Sequence, residues 1–221
     1  MLEIRRADKN CVFENWPNDW PAKDRYVSQH GISEEQYLQF KSLIEQRVNE
    51  TTIEKFLSAN KDVVSLLISL FSTGHHASWL YPKEVIRPAS GEVGGMIPDY
   101  VLAGANSDGI SWFVLELKGP NHSAFVKRGK RVYLSSAANK GICQLINYID
   151  VSTRSQSYLR DELRLNGYRE PNGILLIGDE EETVDQVVQE FKGAWNRMNP
   201  RAQIVSYSRL LRIVEQELES K

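Results

Sequence analysis

The sequence predicts an α/β fold in which a mixed central sheet is flanked by helices. In the first third of the 221-residue chain, apolar residues recur mainly at helical spacing. Three short segments rich in β-branched and aromatic residues follow, separated by glycine-containing turns, and they predict an antiparallel meander. Helical segments then alternate with apolar strands, a pattern that favours a mixed sheet covered by helices.

The first predicted elements are an arm and two helices. Residues 1–30 show no hydrophobic period, so we expect an irregular arm that docks through its aromatic side chains. Ser33 followed by Gln36 indicates a capping box at the start of an amphipathic helix. Thr51 or Thr52 is the predicted cap of a second helix, and a third apolar helical stretch follows it.

The strands of the meander are predicted at residues 79–86, 97–103 and 110–118. A later strand over residues 173–178 is apolar throughout, as expected for a strand that is buried on both faces. The remaining predicted elements are helices over residues 135–150, 155–165 and 181–197, a strand over residues 202–207, and a final helix capped by Ser208.

The length and composition predict one sizeable core with an appendage. Hydrophobic residues make up 41% of the chain, which is enough to bury a single domain of this size. We expect residues 1–50 to form the appendage, an arm followed by a helix. Residues 51–221 then form the domain that contains the sheet.

The charge balance and the cysteines limit the functional classes. A formal net charge of −2 excludes a uniformly basic surface, so nucleic-acid binding would require a local basic patch. Cys11 and Cys143 lie far apart, which predicts neither a disulfide framework nor a zinc site and fits a reducing cytosol. Cys143 is predicted to be buried. The most apolar run, residues 63–71, is too short to span a bilayer, so we expect a cytoplasmic protein without membrane contact.

Asp99, Glu116 and Lys118 have a spacing that points to chemistry. Glu116 and Lys118 are two residues apart on a predicted strand, so their side chains project from the same face. If residues 104–109 connect the two strands, Asp99 lies opposite Val114 and diagonal to Glu116, roughly 7–8 Å away at the backbone. A register shift of one residue would place the two carboxylates on opposite faces.

Two carboxylates and a lysine on one face suit metal-dependent phosphodiester hydrolysis. Hard divalent cations bind carboxylate oxygens, polarise a phosphate and lower the pKa of an attacking water. A lysine beside them stabilises the negative charge that develops. The alternative interpretation of the spacing alone is an ordinary hairpin with solvated charges. The apolar neighbours of the three residues favour the first interpretation.

A helix after the strands extends this pattern. Gln144 and Tyr148 lie four residues apart, and therefore on one side of the predicted helix. Together with the charged strand residues, this helix resembles the nuclease domain of the Shedu antiphage-defence family, a branch of the PD-(D/E)XK superfamily. The resemblance extends over residues 50–219 and is carried by residues 97–102, 116–120, 137–148, 173–178 and 204–211.

The resemblance implies a restriction-endonuclease-like fold with a site for Mg²⁺ or Mn²⁺. It implies that Asp99 and Glu116 are the metal ligands and that Lys118 stabilises charge or orients water. Gln144 would direct its polar group from the helix to the active centre. The resemblance also implies DNA as the substrate and a homo-oligomeric assembly.

Further acidic and basic residues are candidates for the same site. Members of the superfamily often add an acid from the first helix, and Glu54 is the first candidate here and Glu50 the second. Glu84 is a third candidate, although an exposed strand carboxylate is its other interpretation. Phosphate contacts are expected from four basic residues, for which a solvated loop is the alternative: Lys127, Arg128, Lys130 and Arg131.

The first functional hypothesis is a divalent-metal-dependent DNA endonuclease that acts in defence against phage or other foreign DNA. The alternative is a non-catalytic module on a nuclease fold that binds nucleic acid or a protein. The near-neutral charge and the lack of a clear third acid motivate this alternative. A nuclease or toxin directed at RNA would share the active centre and differ in substrate.

Overall fold

A computed structural model describes residues 16–28, 31–88, 95–180 and 185–220. The first residues of the arm and the start of the helix predicted at residues 181–197 lie outside this part of the chain. The α/β prediction is confirmed, since the described residues form a mixed sheet of five strands with helices on both faces.

The helices and strands of the described residues follow the predicted order, with one additional strand pair. The helices are α1 (Glu34–Glu45), α2 (Glu50–Ala59), α3 (Lys61–Ser65), α4 (Ser136–Arg154), α5 (Gln156–Asp161), α6 (Gln186–Met198) and α7 (Tyr207–Glu219). The strands are β1 (Ala77–Pro82), β2 (Tyr100–Asn106), β3 (Gly109–Leu117), β4 (Phe125–Arg128), β5 (Arg131–Leu134), β6 (Asn172–Leu176) and β7 (Ala202–Val205). Two 3-10 helices cover Lys23–Arg25 and Leu66–Phe71.

The main sheet has the strand order β1-β2-β3-β6-β7. β1, β2 and β3 pair antiparallel, as the predicted meander requires, and β3, β6 and β7 pair parallel. β4 and β5 form a separate two-stranded sheet. The predicted topology contained no hairpin at this position.

The predicted register of β2 and β3 is wrong by two residues. Val114 pairs with Val101, not with Asp99. The connection is shorter than expected because Asn106 pairs with Gly109, and Gly109 adopts a φ of +114° that favours glycine. A shift of two residues preserves the face of every side chain, so the predicted side of Asp99 is unaffected.

The sheet separates two hydrophobic cores, because the side chains of β3 alternate between its faces. Phe113, Leu115 and Leu117 pack with α1, α2, α3 and α7 on one face. Trp112 and Val114 pack with α4, α5 and α6 on the other. The candidate site lies at the C-terminal end of β3, where the charged residues Glu116 and Lys118 follow the apolar residues that pack in the two cores.

The N-terminal arm docks through aromatic rings, as predicted, within the part that the structure describes. Trp16 and Trp20 make edge contacts with each other and with Trp79 of β1. The backbone of Val27 donates a hydrogen bond to Ser78, so the arm also covers the edge of β1. The arm therefore protects an edge strand of the sheet from pairing with other chains.

One predicted helix cap is confirmed and two are wrong. The predicted capping box at the start of α1 is present. Asn49, not Thr51 or Thr52, caps α2, because its side chain accepts a hydrogen bond from the backbone of α2. Ser206, not Ser208, caps α7 in the same way. Among the described residues, no helix is long and apolar enough to cross a membrane.

Candidate active site

Glu116 and Lys118 form a buried ion pair at the end of β3. The Lys118 Nζ donates to Glu116 Oε1 at 2.7 Å and to the carbonyl oxygen of Leu117 at 2.9 Å. Only 5% of the Glu116 side chain and 9% of the Lys118 side chain are exposed. The predicted same-face arrangement of these two residues is present in the structure.

Asp99, the residue that directly precedes β2, lies beside this pair. The backbone N–H of Leu117 donates to Asp99 Oδ2 at 2.7 Å, which fixes the carboxylate beside the end of β3. Burial raises the pKa of Glu116, the hydrogen bond from Lys118 opposes that rise, and the nearby charge of Asp99 adds to it. The two negative charges repel each other, so an added positive charge near them would stabilise the ionised form of both carboxylates.

Gln144 reaches the site through Tyr148, a residue to which sequence reasoning assigned no role. The Tyr148 hydroxyl donates to Glu116 Oε2 at 3.1 Å, and Gln144 Nε2 lies 3.5 Å from the same hydroxyl. Gln144 Oε1 is buried and finds no hydrogen-bond partner among the described residues. Cys143 is exposed, so its predicted burial is wrong; adjacent helical residues point about 100° apart.

Burial, followed by the charge of Glu116, raises the pKa of Tyr148 to about 12. The hydroxyl therefore keeps its proton at neutral pH and remains a hydrogen-bond donor to the carboxylate. Its four-residue spacing from Gln144 was the available signal for this role, since both side chains share one side of α4.

The start of α2 packs closely against the backbone after Lys118, because the residue there, Gly119, has no side chain. A Cβ atom at Gly119 would lie 2.8 Å from the backbone nitrogen of Glu50, which is closer than real Cβ contacts allow. Glu50 Oε2 lies 3.8 Å from Lys118 Nζ. Glu54 is one helical turn further along α2, on the same side. The structure thus brings both predicted acids to the site.

Lys83 is a site residue that the sequence analysis missed. Its Nζ pairs with Glu54 Oε1 at 2.8 Å and, at a shorter distance, with Asp99 Oδ1. Lys83 directly follows β1, whose last residue, Pro82, pairs with Tyr100. Pairing of β1 with β2 was the signal that would have placed Lys83 beside Asp99.

Glu84, the third acidic candidate, belongs to a different contact. It forms an ion pair with Arg25 of the N-terminal arm at 3.2 Å, and only 19% of its side chain is exposed. The interpretation of Glu84 as an exposed strand carboxylate is therefore wrong, and the contact that the structure gives it is with Arg25 and not with a residue of the site. The arm, which the sequence prediction did not place, supplies its partner.

Comparison with known families identifies the family of this chain. The sequence matches the family described as Shedu protein SduA, C-terminal, over residues 47–211. The chain belongs to the Shedu family. The Shedu family is a family of defence nucleases, which indicates a role in antiphage defence. The matched range contains every residue of the site described above. No curated protein matches the sequence.

The donor atoms in this Shedu-family chain fit a hard divalent cation. Glu54, Asp99 and Glu116 supply only oxygen, the donor that Mg²⁺ and Mn²⁺ prefer. One ammonium group, that of Lys83, already contacts oxygens of both Glu54 and Asp99, so two carboxylates lie within reach of a single cation. Among the described residues, no group of three or more potential ligands is already assembled around a point.

The four basic residues lie on the β4–β5 hairpin and are exposed to solvent, so phosphate contact and simple solvation both stay open for them. Lys127 forms an ion pair with Asp185, the residue that caps α6. Arg128, Lys130 and Arg131 are exposed at the turn of the hairpin. The hairpin packs on α4 and α6, so its turn presents three positive charges from a fixed support.

Proposed function

We propose that this Shedu-family chain is a divalent-metal-dependent DNA endonuclease with a PD-(D/E)XK active centre, acting against phage or other foreign DNA. One observation carries the proposal. Glu116 and Lys118 are buried as a pair at a strand end, and the backbone between them holds the carboxylate of Asp99. Burial of charged side chains is costly and is typical of functional sites.

Asp99 and Glu116 would hold the cation, Mg²⁺ or Mn²⁺, and Glu54 is the candidate for a third ligand. When bound, the cation polarises the phosphate and lowers the pKa of the water that attacks phosphorus. The hydrogen bond from Leu117 to Asp99 and that from Tyr148 to Glu116 orient the two carboxylates. Partners of this kind commonly control metal affinity.

Lys118 contributes a positive charge that water hardly screens. Its ammonium lies beside Glu116 and is almost fully buried, so its electrostatic effect on a bound phosphate is stronger than that of an exposed lysine. In that position it stabilises the negative charge that develops during attack on the phosphate. Gln144 Oε1 is buried and has no hydrogen-bond donor among the described residues, so it is suited to accept a hydrogen bond from a bound water.

Arg128, Lys130 and Arg131 form the proposed contact with DNA. The chain as a whole carries a net charge of −2, so attraction of a polyanion depends on local groups of this kind. Exposed basic side chains bind phosphates without reading the base sequence. The hairpin therefore contributes affinity, whereas the carboxylate site performs the cleavage.

The proposal is tested with supercoiled plasmid DNA and purified protein in Mg²⁺ or Mn²⁺. We expect nicking that EDTA abolishes and that both Lys118→Ala and Asp99→Asn reduce by about a hundredfold or more. Glu170→Gln removes one carboxylate from a remote ion pair with Arg201 and is the matched control, with activity retained. Unchanged cleavage by folded Lys118→Ala protein would contradict the assignment. Duplex RNA tested in parallel distinguishes the substrate.

A non-catalytic binding module is the second candidate, and the pairing of the carboxylates favours it. Asp99 already has a lysine partner, as does Glu116, so both are neutralised without a metal. Titration calorimetry separates the two candidates. Binding of DNA or a protein partner with no binding of Mg²⁺ or Mn²⁺ would favour the module.

A further inference from the structure

Lys83 is fixed against Asp99 by its backbone as well as by its side chain. The backbone N–H of Lys83 donates to the carbonyl oxygen of Asp99 at 3.0 Å. Lys83 also has a φ of +52°, in the left-handed region that residues with a side chain rarely adopt. Such a conformation persists only where surrounding contacts determine it. The ammonium is thus directed to the carboxylates by the fold.

The ammonium of Lys83 contacts oxygens of two proposed metal ligands, Asp99 and Glu54. Asp99 Oδ2 accepts the hydrogen bond from the backbone of Leu117. Asp99 Oδ1 is the other oxygen of this carboxylate, and it is in contact with Lys83 Nζ. Glu54 Oε1, from the candidate third ligand, contacts the same Nζ. A lysine ammonium and a divalent cation cannot share this position.

Lys83 differs from Lys118 in how easily its charge can leave. About half of the Lys83 side chain, 49%, is exposed, compared with 9% for Lys118. An exposed ammonium that loses its partners regains water, so its displacement costs little. Displacement of Lys118 would instead leave a buried charge without a partner.

We propose that Lys83 is an internal competitor of the catalytic cation. Its ammonium contacts both Glu54 and Asp99 and offsets one of their two negative charges in the metal-free protein, and a divalent cation binds only by displacing it. The affinity of the site for metal is therefore lower than its carboxylates alone would give. This inference rests on the proposed metal dependence, because without metal binding there is nothing with which Lys83 competes.

Titration calorimetry with Mn²⁺ and with Mg²⁺, in the absence of DNA, tests the inference on three proteins. Lys83→Met is expected to bind metal about fivefold more tightly than the unmodified chain, the scale of a partly exposed ion pair. Lys55→Met is the charge control, since Lys55 is the exposed residue that follows Glu54 on α2. It removes the same charge near the same carboxylate, and its metal affinity is expected to stay unchanged.

Thermal unfolding gives a second measurement on the same proteins. Without metal, Lys83→Met should melt at a lower temperature, because Glu54 and Asp99 lose the charge between them. Saturating Mn²⁺ should then raise its melting temperature by more than it raises that of the unmodified chain. If Lys83→Met does not fold, Lys83→Gln replaces it with the same expectations, since glutamine is neutral and still donates a hydrogen bond.

Each outcome decides between the two proposals. Absence of metal binding by all three proteins contradicts the metal-dependent function and the competition together. Binding by the unmodified chain with equal or weaker binding by Lys83→Met overturns the competition and leaves the proposed function standing. An equal gain in Lys55→Met overturns it as well, because the effect would then reflect overall charge.

Discussion

Two ion-paired groups lie side by side in the site, and they differ in burial and in origin. The inner group, Glu116 and Lys118, comes from the end of one strand and is almost fully buried. The outer group, Glu54, Lys83 and Asp99, joins a helix and the ends of two strands, and its lysine is half exposed. A lysine beside a carboxylate can therefore be a fixed component of the site or an exchangeable one. Burial decides which.

The largest expected difference between the groups is in stability. Lys118→Met leaves Glu116 buried without its partner, and we expect a loss of about 3 kcal/mol in the free energy of unfolding at neutral pH. Lys83→Met breaks a partly exposed contact, and a loss below about 1 kcal/mol is expected. Urea unfolding in the absence of metal measures both changes.

The pKa of Glu116 supplies an internal control for this measurement. Since that pKa is raised by burial, the carboxylate of Glu116 takes up a proton at a higher pH than an ordinary glutamate does. The loss in the free energy of unfolding that Lys118→Met causes should therefore become smaller as the pH is lowered, because a protonated Glu116 needs no partner charge. Equal losses in the two variants at neutral pH would contradict the division into inner and outer groups.

The inner group was easier to predict from the sequence than the outer group, because its residues are close together in the chain. Glu116 lies in β3 and Lys118 directly follows that strand, so the period of two residues is sufficient to put them on one face. Asp99 was predicted on the correct face although the register was wrong, because the error was an even number of residues. The contact between Lys83 and Asp99 depends instead on the pairing of β1 with β2 and on a left-handed backbone. The predicted meander already implied that pairing, whereas the left-handed backbone at Lys83 has no signal in the local sequence.

Prediction of the fold from local sequence patterns has the same limit. Apolar periodicity predicted the main sheet and the helices that cover it, whereas the β4–β5 hairpin was missed. Each of its strands has only four residues, and a two-stranded hairpin has little stability of its own. Phe125 packs against Phe191 of α6 with ring centroids 5.5 Å apart. Packing between distant segments stabilises this hairpin, and a local pattern cannot reveal it.

Tyr148→Phe gives the next largest effect and acts on the inner group alone. It removes the hydroxyl that orients Glu116 while keeping the aromatic ring in the core. Metal affinity is expected to fall about tenfold, as is usual when a ligand loses its supporting hydrogen bond. This change has the opposite sign to that expected for Lys83→Met.

Tyr133→Phe is the matched control for this variant, because Tyr133 is exposed on the β4–β5 hairpin. Calorimetric titration with Mn²⁺ compares the two variants with the unmodified chain. The same loss of affinity in Tyr133→Phe and Tyr148→Phe would mean that the hydrogen bond to Glu116 has no particular role. A retained affinity in Tyr148→Phe would mean that the inner carboxylate does not depend on Tyr148 for its orientation.

The smallest expected effect near neutral pH is the change of metal affinity with pH. This change distinguishes the inner group from the outer group because it depends on Glu116. Protons compete with the cation for Glu116, and burial raises the pKa of that carboxyl above its ordinary value. Metal affinity should therefore fall as the pH is lowered from neutrality, before the ordinary glutamate pKa of about 4.3 is reached. Lys83→Met should bind more tightly at every pH with a decline of the same shape, because Lys83 contacts Asp99 and Glu54 but not Glu116. Calorimetric titrations at a series of pH values measure both curves. A decline that disappears in Lys83→Met would assign the titrating carboxyl to the outer group.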